Sequence, residues 1–121
     1  MSSDIMRYVG GAVPTERRVP QVNLLLDMTA APTSAISRPC EWSGYDMILV
    51  EAMFYSNVMA SIMVPVDYFA ATTSSHRVLI SDTYTSQMFD VYQNGGDSVF
   101  VKANSSVSNT GVRIYGVLFG E

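Results

Sequence analysis

The sequence holds one cysteine, Cys40, one histidine, His76, and one lysine, Lys102, among 121 residues. A lone cysteine excludes an intramolecular disulfide framework and a cysteine-ligated zinc cluster together. A lone histidine removes most other metal sites and every triad that needs a choice of base. Charge is scarce as well: 15% of residues are Asp, Glu, Lys or Arg, where soluble domains average about 25%. The net charge is −4, and Arg17–Arg18 is the only adjacent basic pair. Nucleic-acid binders carry a basic stripe, so no nucleic-acid partner is expected. The first thirty residues lack an apolar signal core, being interrupted by Asp4, Arg7, Gly10, Gly11 and Pro14. No run approaches the roughly eighteen apolar residues that cross a bilayer. The expectation is a protein made in a cytoplasm, without membrane insertion.

What is present is apolar: 48% of residues are hydrophobic, enough for one domain with a core of its own. Residues 1–21 carry Gly10, Gly11, Pro14 and Pro20 and no helical period, and read as an extended N-terminal arm. From residue 22 to 121, short β-rich runs alternate with turn clusters, the pattern of an antiparallel β-sandwich. Seven strands are predicted: Val22–Asp27, Asp46–Tyr55, Val58–Val66, Arg77–Ser81, Tyr84–Gln93, Ser98–Ala103 and Gly111–Phe119. Asn57 is placed in the connection between the second and third. Pro65 marks that third strand as an edge or its end. Asp67–Ala71 reads as one helical turn capped by Asp67. Asn94-Gly95-Gly96-Asp97 is the strongest hairpin turn, and the segment through Pro32 and Pro39 reads as a loop.

No catalytic residue, cofactor site or metal site emerges, and the chain is not expected to be an enzyme. His76 sits in a Ser-Ser-His-Arg turn and reads as a surface histidine rather than a general base. Cys40 reads as a small buried apolar residue rather than a nucleophile. The acids are scattered, with no pair placed for glycoside hydrolysis. The Gly-Gly pairs at 10–11 and 95–96 belong to turns, not to a phosphate loop. Methionines such as Met47, Met53, Met59 and Met63 fall at strand spacing and read as core or interface filler, not a copper motif. Binding is the better prospect. Trp42, Tyr45, Tyr55 and Tyr68 lie near turns and are the candidate surface-contact aromatics. Tyr84, Tyr92 and Tyr115 alternate with apolar neighbours and are expected as wall or core positions. Met6, Arg7, Tyr8, Val9, Val13, Arg17, Arg18 and Val19 are the candidate docking residues of the arm.

The run DMILVEAMFYSN, then MVPVDYF, then VYQNGGDSVFVKANS and a terminal VRIYGVLFG resembles the small β-sandwich modules that close tail fibre and other virion proteins of tailed bacteriophages. The likeness spans about residues 44–120, with Val64-Pro65-Val66 and Arg113-Ile114-Tyr115-Gly116 as its short motifs. It implies a jelly-roll-like sandwich without catalytic residues. It also implies a place in the virion, with other virion proteins and copies of itself, a trimer first, as partners. The leading expectation is a tail fibre or tail-tip component, docked through its arm and contacting a host receptor or glycan. The alternatives are a capsid decoration (cement) protein and a carbohydrate-binding module, the latter monomeric and without need of an arm.

Overall fold

The computed structural model describes residues 19–120. Eight strands form two four-stranded antiparallel sheets: β1 (Gln21–Met28), β2 (Ile36–Pro39), β3 (Met47–Phe54), β4 (Asn57–Pro65), β5 (Val78–Asp82), β6 (Gln87–Gln93), β7 (Ser98–Ala103) and β8 (Thr110–Leu118). The first sheet runs β1-β8-β3-β4 and the second β2-β7-β6-β5. The outer pairs nest in jelly-roll fashion, β1 on β8 in one sheet and β2 on β7 in the other. By contrast, β3–β4, β5–β6 and β6–β7 close as hairpins within a sheet. A single helical turn, α1 (Val66–Ala70), bridges the sheets after β4. No helix among the described residues is long and apolar enough to cross a membrane.

The period-2 alternation of side chains selects the core. From the first sheet, Ile48, Val50, Ala52, Val112, Ile114 and Val64 point inward; from the second, Val78, Ile80, Phe89, Val91, Val99 and Val101 face them. Phe69 of α1 plugs the end of this layer, fully buried. Most are β-branched, and each contributes roughly 1.5–3 kcal/mol by leaving water.

Three local expectations change. A strand, β2, occupies what reads as a loop. It is short and polar, and only its backbone pairing with β7 reveals it: Ile36 lies opposite Val101 and Pro39 opposite Ser98. It is an edge strand, and Pro39 is its last residue, where a missing N–H is tolerated. Asn57 opens β4 opposite Phe54, so the turn is Tyr55–Ser56. The helical turn starts one residue early, with Pro65 at the N-cap, and Asp67 lies within the first turn rather than capping it. Pro65 does end β4, which is an edge strand. Of the arm, Met6, Arg7, Tyr8, Val9, Val13, Arg17 and Arg18 lie outside the described residues, and Val19 is exposed.

Candidate functional site: an aromatic tip on three buttressed loops

The β3–β4 turn, the β5–β6 turn and the β7–β8 loop meet at one end of the sandwich. Tyr55 donates its backbone N–H to the Asn109 carbonyl at 2.7 Å, joining the first of these to the third. Phe54 packs edge-on against Tyr55 (centroids 4.7 Å apart) and tilted against Tyr84 (5.8 Å), joining the first to the second. Tyr55 and Tyr84 are 64% and 75% exposed. Rings this open bury little apolar area in the chain itself, so that area stays available for a contact.

Polar side chains hold the tip from beneath. Asp82, buried, accepts from the Tyr84 N–H (2.8 Å) and the Thr85 hydroxyl (2.8 Å), an Asx turn that sets where Tyr84 stands. Gln87, fully buried, donates through Nε2 to the Ser105 carbonyl (2.7 Å) and the Thr110 hydroxyl (3.3 Å). Its Oε1 accepts from the Ser105 hydroxyl (2.8 Å). Thr110 in turn donates to the Val107 carbonyl (2.8 Å). Asn104 Oδ1 accepts from the Met88 N–H (2.7 Å). A satisfied buried network of this kind fixes one loop conformation.

The backbone at this end is unusual. Tyr55 (φ 56°), Ser86 (φ 58°) and Asn109 (φ 65°) are the positive-φ residues other than glycine among the described residues, one in each loop. Primed hairpin turns need positive φ at the first central residue, where Gly or Asn is cheapest. A tyrosine there costs roughly 1–2 kcal/mol, offset in part by the Phe54 contact.

No family model, no curated protein and no solved structure matches the chain.

The expected aromatics divide. Tyr55 and Tyr68 are exposed, and Tyr68 lies beside His76 at the opposite end, ring centroids 5.7 Å apart. Trp42 is not a surface contact but is buried in the core. Its Nε1 donates to the carbonyls of Gly95 (2.6 Å) and Ser98 (3.2 Å), and its ring meets Phe69 edge-on at 5.2 Å. The Gly95–Gly96 turn thus supplies the acceptors that let an indole be buried. Tyr45 is half-buried, its ring laid over Gly116 and its hydroxyl accepting from Asn23 Nδ2 at 2.9 Å. Tyr84 was expected in a wall, yet it is the most exposed aromatic of the tip. The chain from 83 to 86 is a turn, and β6 begins only at Gln87. The signal for it was Asp82, a turn-forming acid two residues ahead.

Of the residues weighed for chemistry, Cys40 is buried, and burial pushes its thiol up to about 12. It therefore stays protonated at neutral pH and is a poor nucleophile. His76 is exposed, its backbone N–H bonded to Thr73 Oγ1 at 3.1 Å. Among the described residues no three of His, Cys, Asp and Glu cluster as metal ligands do. An open groove of about 680 Å³ lies at the far end from the tip, lined by Glu41, Ser43, Gly44, Tyr45, Gly96, Asp97 and Leu118. Its two carboxylates give it an acidic mouth.

Proposed function

We propose that the chain is a non-enzymatic virion structural protein of a tailed bacteriophage, a tail fibre or tail-tip component whose Phe54–Tyr55–Tyr84 end contacts the host surface. The observation that carries this reading is the placing of two largely exposed tyrosines on turns that are braced from inside. Large rings with few rotatable bonds, already ordered, lose little entropy on binding and are the usual anchors of a contact surface. The described chain begins at the opposite end, with Val19 and Gln21, and the N-terminal arm that precedes them is the proposed means of docking on the particle. Other virion proteins and further copies of the chain are the partners.

A carbohydrate-binding role is favoured by the same rings, since tyrosine faces stack on sugars. The two readings agree on the surface and differ in whether the chain travels with a particle. The test is Tyr55→Asn combined with Tyr84→Ser, both compatible with their turns. Particles carrying the double variant should incorporate the chain normally and attach to cells at least tenfold more slowly. Unchanged attachment with normal incorporation would refute the tip as the contact.

A further inference from the structure

The two outer faces of the sandwich are unlike. On the second sheet the outer face is mixed, with Ser81, Asp90, Lys102 and Ser37 interspersed among Leu79, Met88 and a Tyr92–Phe100 pair. Arg77 Nε bonds Asp90 Oδ2 there at 2.9 Å. The outer face of the first sheet carries two apolar rows that cross all four strands. The register sets Val22, Val117, Met47 and Pro65 in one row and Leu24, Tyr115, Leu49 and Met63 in the next. A third row is charged: Asp27, Arg113, Glu51 and Ser61. The exposure is greatest on the edge strands, where Val22, Leu24 and Met63 are 54%, 53% and 49% exposed, while Met47, Leu49 and Tyr115 between them are half-buried and Val117 is buried. Among the described residues no element covers this face. A sheet with one solvated face normally reads polar on that side.

We infer that a second copy of the chain packs on this face about a two-fold axis parallel to the strands, between β8 and β3. The row pattern selects that axis. An axis across the strands through the middle row would lay an apolar row on the charged one, and an axis between the two apolar rows would leave the charged row without a counterpart. The strand-parallel axis instead lays each row on itself with strand order reversed, β8 over β3 and β1 over β4. Tyr115 then meets the partner's Leu49, Leu24 meets the partner's Met63, and Val22 meets the partner's Pro65. In the charged row, Arg113 meets the partner's Glu51 and Glu51 meets the partner's Arg113, while Asp27 faces the partner's Ser61. No like charges oppose. Within the single chain Arg113 pairs with Asp27, Nε to Oδ2 at 3.4 Å, which leaves the row with two carboxylates to one guanidinium and Glu51 without an ion-pair partner of its own among the described residues. A two-fold contact is self-complementary by construction, and this face meets the requirement. A trimer would need two different patches to meet instead.

Four strands at ~4.8 Å and three rows at ~6.7 Å give a footprint of about 400 Å² on each copy. The total of about 800 Å² lies below the roughly 1,000 Å² of a stable interface, so the contact is a weak, transient one that dissociates on dilution, with a Kd of micromolar order or weaker. The inference concerns this face alone and does not depend on the virion reading.

Sedimentation velocity of the full chain across a concentration series tests it, with mixing of two charge variants as the decisive arm. Glu51→Arg leaves two cations on the face and Arg113→Glu leaves three anions, so each variant alone should be monomeric. An equimolar mixture should form a heterodimer at least tenfold tighter than either homodimer, because both cross-contacts become opposite in sign. Leu24→Glu, on the edge strand β1, should abolish association with the fold retained by circular dichroism, and serves if a charge variant misfolds. A wild-type chain monomeric throughout, a trimer, or association in the mixture no tighter than in the separate variants would overturn the inference. So would association that Leu24→Glu leaves intact, or that is lost on deleting residues 1–18, which would make that segment the occupant.

Discussion

Gly116 leaves no room for a side chain, since a Cβ there would lie 2.4 Å from ring carbons of Tyr45. The glycine and the ring form one unit: Gly116 lets Tyr45 lie flat across β8, and the Tyr45 hydroxyl ties Asn23 of β1 to that end of the sheet. Gly116→Ala should destabilise the fold by about 1–3 kcal/mol in urea titration, the ordinary cost of overpacking. Combining it with Tyr45→Ala should cost less than the two single changes summed, because the clash disappears with the ring. Strict additivity would mean that the ring does not rest on the glycine. In the sequence, Arg-Ile-Tyr-Gly is legible as a strand, but nothing near Gly116 announces a tyrosine from 71 positions upstream. Trp42 was misplaced for a related reason. Its residue type suits both a wet contact and a buried one, and the choice rests on acceptors offered by Gly95 and Ser98, far along the chain.

Elements decided by local alternation were readable, and those decided by a partner strand were not. The strands β4 and β7 show their faces in sequence, whereas β2 exists because β7 offers a ladder to Ile36–Pro39. The β5–β6 connection reads two residues shorter than it is, since Tyr84 looks like strand until Asp82 claims its N–H and β6 begins only at Gln87. The loop from β7 to β8 reads only as polar. In the fold it is anchored by Gln87, whose side chain bonds both Ser105 and Thr110. Replacing Gln87 with leucine leaves those groups without their partner and should cost roughly 1–3 kcal/mol. It should also speed amide exchange at Tyr55, whose N–H depends on the Asn109 carbonyl of that loop. Unaltered exchange at Tyr55 would mean that the tip is rigid without the network.

At the scale of the whole molecule, the sandwich has a mixed outer face, an outer face with two apolar rows and one charged row, an aromatic end and, opposite it, the end where β1 begins. All-β architecture follows from short alternating runs and scarce helical periodicity, and it was legible. The apolar outer face was not, because a strand with both faces apolar cannot reveal which neighbour covers it until register aligns the rows. The ring-bearing tip, braced from inside, is the feature on which the proposed contact role rests. Counting copies of the chain in purified virus particles, by quantitative mass spectrometry, tests the proposed tail role most directly. The account predicts that the chain co-purifies at a fixed stoichiometry of a handful of oligomers per particle, as a tail component does. Its absence from the particles, or its presence in hundreds of copies as on a capsid lattice, would contradict it.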